Sequence, residues 1–585
     1  MNGSELFNTV EKELSEQRLM ADAKAISNWT RYSGSEDGEK TVDYILAELK
    51  KAGVSAHRET YDIYRSLPVS AKITVLGDGG FEADGIAAVY SGNADGVTAE
   101  VIYDKWSTVP SFTRQENKAR HAEFKDKIVL THDLSFTFFY EASRAGAVGI
   151  IGIWPKDINH HDTMGGVWGT PGTRDRDLYP FTPYLQITLK EAQKIIDMCE
   201  KGAVKIKMDI KMDNSVLKTS MPIAKIKGKS DKYVLVSGHY DSWYEGMTDN
   251  GAANVMMLEM ARLLQKHQAD LERSVVFAWW SGHSDGRYSG SCWYFDNHFE
   301  DLRKNCMAHV NLDICGCTGS NAVKLAMSGM EGNAFNDEFL KKYNTYKPQP
   351  YTNLDRNSDQ TFWGVLTPVS VAPSFFVDNG DAPVPDRPLV STEATVPSAF
   401  GANGPYFWWH TIYDTIDKID PAVMMRDLKV GTELACRYLN ETPFPVDMCG
   451  FMDEMGEYFK AFEEKLGPDF DITPLLPLVS ETAAAVKELV SQIPAHKDTD
   501  DIIKKVAGTL NLLKFTYSSP YEHDHAAEHP VYCAFSLACT YDKATTPEDE
   551  YLFARTDFVR QRNRMAIELR GLIETINTQL AKWNA

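Results

Sequence analysis

Three short apolar runs, each leading into a polar residue, constrain this chain more than anything else in it. Residues 233–237 lead to His239, residues 274–280 lead to His283, and residues 307–312 lead to Asp313. Runs of this length read as buried strands. Helical spacing at 252–264 and near 290–297 separates them. Strands alternating with helices predict a largely parallel sheet covered by helices on both faces. Open sheets of that kind bind ligands just outside the carboxyl ends of their strands. His239, His283 and Asp313 all fall there.

The flanking segments read differently. Upstream, Val42, Ile45, Leu46 and Leu49 mark a helix that Gly53 stops, and extended pieces follow at 71–76 and 99–103. A compact α/β unit comes next: strands at 127–130, 148–153 and 184–187, helices at 138–145 and 189–199. Its loop over 154–179 is rich in Gly, Pro, His and Asp, and a loop of that length is functional or unstructured. From about residue 441 the pattern becomes helical, at 451–466, 481–493, 502–513 and 548–582, punctuated by prolines. The expected division is 1–97 with 219–440, an insert at 98–218, and a helical domain at 441–585.

The strongest chemical segment is Gly238-His239-Tyr240-Asp241-Ser242, followed by Thr248-Asp249-Asn250-Gly251. His239 offers an imidazole nitrogen at a strand end. Asp241, two residues on along an extended chain, is expected to accept the other ring N–H and orient the imidazole. Asp249 opens the next helix, where a carboxylate can bridge two cations. Asn311-Leu312-Asp313 and Trp409-His410-Thr411-Ile412-Tyr413-Asp414 complete the set. His239, Asp249, Asp313 and His410 suit zinc, with manganese, cobalt or iron as other divalent options. Taken singly, each residue has a plainer reading as a helix cap or a satisfied strand-end side chain.

In this order the motifs resemble the co-catalytic zinc exopeptidase family, which includes bacterial zinc aminopeptidases, glutamate carboxypeptidase II, the transferrin receptor and glutaminyl cyclase. The resemblance implies an α/β fold with a mixed, mostly parallel central sheet flanked by helices. It also implies an inserted protease-associated β/α domain, a helical C-terminal domain and a homodimer formed through that domain. It makes His239 and Asp313 ligands of one zinc, Asp249 the bridge, and His410 a ligand of a second ion. The implied function is a metal-dependent hydrolase of a small amide, a peptide or an aminoacyl or acyl-amino-acid conjugate, of the metallo-aminopeptidase or carboxypeptidase kind.

One departure is pronounced. Where that family carries two adjacent Glu residues, general base and metal ligand, this chain reads Ser281-Gly282-His283-Ser284-Asp285-Gly286-Arg287. Counting forward from the strand puts His283 and Ser284 in the two places; counting back from Gly290-Ser291 puts Ser284 and Asp285 there. His283 then either ligates metal, or His283 or Asp285 acts as general base, or the site is dead, as in the transferrin receptor. A specialised lyase, cyclase or amidase on the same fold and a non-catalytic relative are the alternatives to a peptidase.

Substrate contacts are drawn more loosely. Arg287 suits a carboxylate or phosphate of the substrate, with an ordinary surface arginine as the plainer reading. Trp243, Trp293, Trp363, Trp408 and Trp409 flank the motifs and read either as pocket walls or as core. In the relatives the insert edges the substrate cleft, so the resemblance implies a lid at His160-His161-Asp162. Glu522-His523-Asp524-His525 with His529 reads as a metal-binding run or, more simply, an exposed loop.

Charge sets the remaining bounds. Lys and Arg number 61 against 82 Asp and Glu, a net charge of −21. That balance opposes a nucleic-acid or anionic-membrane partner. No apolar run approaches the ~18 residues of a membrane span. The N-terminal residues lack a basic stretch followed by an apolar one, and nine scattered cysteines read as reduced thiols, so a cytoplasmic protein is expected.

Overall fold

The computed structural model describes residues 1–105, 119–179, 181–344, 351–354, 358–376, 408–525 and 530–585. A long strand, β1 (Ser55–Leu76), precedes five shorter ones: β2 (Glu82–Ala87), β3 (Ala94–Asp104), β4 (Ile128–Thr131), β5 (Gly149–Trp154) and β6 (Tyr184–Thr188). A second long strand, β7 (Lys205–Ile226), returns along β1 in antiparallel register over nearly its whole length. The remaining strands are β8 (Ser230–His239), β9 (Arg273–Trp280), β10 (Cys306–Asn311), β11 (Ala322–Met327), β12 (Thr352–Asn353) and β13 (Val369–Phe376).

The central sheet runs β7-β9-β8-β10-β13-β11-β12. Its middle, β9-β8-β10-β13, is parallel; β7 and β11 add antiparallel edges. Every residue of β9 and β10 is buried, as are the last seven of β8. This explains why the three runs are continuously apolar rather than alternating: parallel strands are covered on both faces. The helix Ala252–Lys266 lies over one of these faces. The mixed α/β architecture expected from the sequence is observed, as is a helical C-terminal part.

The accessory unit hangs from the far half of the β1–β7 ribbon. There β3, β4, β5 and β6 pair in parallel, β2 joins β6, and the outer part of β1 from Ala71 pairs with β2. Its sheet therefore begins near residue 71, upstream of the expected boundary at 98. The cause is β1 itself, which belongs to both sheets and bends at the irregularity between Pro68 and Ser70.

The C-terminal helices are not a detached unit either. One continuous core runs from Leu6 and Val10 through Val234 and Phe277 to Phe558 and Leu580. Docking occurs through the helix Asp500–Phe515, almost all of which is buried. Lys504 Nζ donates to the carbonyls of Cys306, Val365 and Leu366, and Asn511 Nδ2 to those of Thr367 and Pro368. A Cβ at Gly508 would stand 2.3 Å from the Leu366 carbonyl oxygen, so only glycine permits this approach.

Candidate metal centre

The carboxyl ends of β8 and β10 deliver His239 and Asp313 to one point. Around them, the loops are fastened to one another through Asn250 and Asn254. Asn250 donates to the Leu312 carbonyl and accepts from the Ile314 N–H, and Asn254 donates to the His239 carbonyl. The Asp249–Asn250 peptide between these loops is cis.

His239 Nδ1–H donates to the backbone carbonyl of Asp241 at 2.8 Å, leaving Nε2 aimed at Asp249 Oδ1 at 3.0 Å and Asp313 Oδ1 at 3.4 Å. His410 has its Nδ1–H on the His161 carbonyl at 3.1 Å and its Nε2 at 2.9 Å from Asp249 Oδ2. Asp249 thus stands between two imidazoles, one on each oxygen. Each imidazole has its far nitrogen committed to a backbone carbonyl, which directs the other inward. Burial opposes charge on both partners, but it is outweighed. The Asp313 and Asp249 carboxylates hold His239 well above the ordinary imidazole range, and His239 and His410 hold Asp249 well below the carboxylate range.

Asp241 does not play the part expected of it. Its backbone, not its carboxylate, takes the His239 proton; the carboxylate oxygen is 3.9 Å away. The carboxylate instead accepts the backbone N–H groups of His283 and Ser284, at 3.1 and 2.9 Å.

The altered motif separates cleanly. The His283 ring stacks on His239, with centroids 3.7 Å apart and planes 10° apart, and one ligand-type atom from each of His239, His283 and Asp313 lies within 4.8 Å of the other two. His283 Nδ1 pairs with Asp359 Oδ2 at 2.6 Å, and Ser291 Oγ donates to the other oxygen of Asp359. Burial would raise the Asp359 carboxyl, but His283 outweighs it and holds it low. Ser284 Oγ is buried with no hydrogen bond. Asp285 turns away: it is buried, takes a 2.6 Å hydrogen bond from Ser33 Oγ, and is pushed up to about 7 by burial and then by the charge of Asp241. Its hydrogen-bond partner is Ser33 and not a member of the His239–Asp249–Asp313–His410 cluster.

Two acids sit outside the expected set. Asp359 precedes β13 in a stretch with no motif signal, and only the fold brings it to His283. Asp414 lies in the His410 motif and accepts the Thr248 N–H and Oγ1–H and the Asp249 N–H, so it shapes the turn that presents Asp249.

The loop after β5 forms one wall. The His161 N–H donates to the His410 carbonyl, and Thr163 Oγ1 donates to the Ser284 carbonyl. His160 is stacked on Trp154 and, with His161, is held neutral by burial. Trp243 stacks on His161 and Trp409 on His410, so both border the site. Trp408 donates to Thr248 Oγ1 beneath it. Trp293 stacks on Tyr61 and Trp363 on Phe515, away from the cluster. Arg287 lies over the Tyr288 ring, whose edge meets His283, and its buried Nε makes no hydrogen bond.

The donor set fits a divalent cation. Two carboxylates face two imidazole nitrogens freed for coordination, and Asp313 Oδ1 is buried without a hydrogen bond. Residues 222–430 match Peptidase family M28, which bears out the resemblance drawn from the motifs. The chain is 26% identical over 337 residues to a probable leucine aminopeptidase 2 of Aspergillus oryzae, covering 55% of this chain and 61% of that protein. It is 25% identical over 374 residues to an aminopeptidase of Pseudomonas aeruginosa, covering 58% and 66%. It thus spans less than two thirds of either relative. Among solved structures, the aminopeptidase from Aneurinibacillus sp. strain AM-1 shares the fold, with a TM-score of 0.52, 20% identity, and 73% of this chain and 95% of that one covered.

Proposed function

We propose that the chain is a zinc-dependent exopeptidase-type hydrolase in which His283, held by Asp359, replaces the family's glutamate base. The aminopeptidase names of the relatives favour substrates with a free amino end. The observation that carries the reading is the His283–Asp359 pair beside His239. His239, Asp249, Asp313 and His410 would hold one or two ions. A divalent cation there would lend Lewis acidity to the scissile carbonyl and to the attacking water. His283, with Nδ1–H on Asp359, has Nε2 free to take the water's proton and pass it to the leaving amine. Asp359 fixes the tautomer and steadies the imidazolium. Asp241 holds the loop by its two amide hydrogen bonds. Arg287, with an unpaired Nε, is placed to receive a substrate carboxylate.

A second reading makes His283 a metal ligand, which its approach to His239 and Asp313 favours. His283→Gln separates the two: a base loses turnover and keeps metal, whereas a ligand loses both. Zinc-loaded protein should cleave aminoacyl amides; metal bound with no turnover on aminoacyl or N-acylated substrates would end the peptidase reading in favour of a lyase, a cyclase or a non-catalytic relative.

The helical part presents Leu552, Phe553, Val559 and Ile567 to solvent on one long helix, which supports a homodimer; a monomer in sedimentation at micromolar protein would exclude it. Nine free thiols fit a reducing compartment such as the cytoplasm. Among the described residues no helix is long and apolar enough to cross a membrane.

A further inference from the structure

Cys292, Asp296 and His523 belong to no part of the centre above. We propose that they form a second divalent-metal site, of zinc type, joining the helix Ser289–Asn297 to the C-terminal region. Cys292 and Asp296 lie one turn apart on that helix and so share a face. His523 comes from the loop after the helix Asp500–Phe515, more than two hundred residues away in sequence. Cys292 Sγ is 3.6 Å from His523 Nε2 and 3.8 Å from Asp296 Oδ2, and His523 Nε2 is 3.2 Å from Asp296 Oδ1. Zinc bonds of about 2.3 Å to sulfur and about 2.0–2.1 Å to nitrogen and oxygen, at tetrahedral angles, separate ligand atoms by roughly 3.3–3.6 Å. The Cys292–His523 distance of 3.6 Å falls within that range, and the 3.8 and 3.2 Å distances to the two Asp296 oxygens lie just outside it, so a small turn of the Asp296 carboxylate completes the set.

The surroundings suit an ion on one side and water on the other. Trp168 from the insert meets the His523 ring edge-on, and Phe295 flanks it. Gly169 packs so closely that a Cβ there would be 2.5 Å from Cys292 Cβ. Cys292 is buried, whereas the Asp296 side chain is 54% exposed, leaving a path for the ion and room for a water as fourth ligand. The thiolate favours zinc over magnesium or calcium. A bound ion would clasp three stretches of chain: the insert loop by packing, the helix beyond the His283 loop, and the C-terminal loop by coordination.

The test uses the full chain, stripped by chelator, kept reduced without thiols, and titrated with cobalt(II). The expected result is a thiolate-to-cobalt charge-transfer band in the near ultraviolet. That band should vanish in Cys292→Ser, with one ion fewer bound, and His523→Ala should lose the same ion. The double variant His239→Ala/His410→Ala should keep the band, so failure of the catalytic reading would not be mistaken for failure of this one. No charge-transfer band in cobalt-saturated wild type, or a band that survives in Cys292→Ser, would overturn the proposal.

Discussion

The chain builds two convergent sets of ligand-type side chains, and it builds them differently. The first stands at the carboxyl ends of parallel strands, where His239 and Asp313 arrive on adjacent strands and Asp249 and His410 on loops tied to them. The second joins one helical turn, Cys292 and Asp296, to a single histidine from a distant loop. In the first set both imidazoles carry a backbone partner on the far nitrogen, Asp414 holds the Asp249 N–H, and Asn250 holds the backbone on either side of Asp313. Among the described residues the second has no such frame beyond aromatic packing. A preorganised set is suited to chemistry, and a set spanning separate parts of the chain is suited to holding them together.

The largest expected effect falls on the first set. Asp249→Ala removes the group between the two imidazoles and should lower kcat/KM by more than about 10³-fold. Elemental analysis should show metal lost with activity; full metal content would break the distinction. Next come the groups behind the chemistry. His283→Gln should cost about 10²–10⁴-fold in kcat. Asp359→Asn should cost roughly 10–100-fold in kcat, since its hydrogen bond orients the His283 ring; turnover equal to wild type would show that the pair does not act in catalysis.

Two stability effects are smaller. Gly508→Ala forces a Cβ against the Leu366 backbone and should cost about 1–3 kcal/mol, read as a lower urea midpoint. Asp285 has its folded carboxyl raised from 3.8 to about 7, so the folded state binds the proton more tightly than the unfolded chain does. Its presence therefore lowers stability progressively as pH climbs through that interval. Asp285→Asn should gain steadily on wild type across the same interval; a constant difference would show that the residue does not titrate there. The smallest effect is on activity in Cys292→Ser, whose kcat/KM should match wild type even as its metal content falls.

Much of this was legible along the chain. The apolar runs before His239, His283 and Asp313 announced both the strands and their polar ends, because a buried parallel strand needs continuous hydrophobicity and stops where it reaches solvent or ligand. The helix Leu189–Cys199 is readable to the residue, bounded by a Thr188–Glu191 capping box. Asp359 was not legible: nothing beside it in sequence marks it, and it reaches His283 only because β13 lies next to β10. The roles of Asp241 and Asp285 were also hidden, since residue type and spacing are the same whether a side chain or a backbone carbonyl does the orienting.

The order of strand, polar end and helix, together with the types of side chain available for coordination, was set by local pattern, because periodicity and burial act over a few residues. Which way the loop 281–285 faces, which acid supports His283, and that Cys292 meets His523 were decided by the tertiary structure. Those outcomes depend on packing between segments far apart in the chain, and no local preference encodes a distance of that kind.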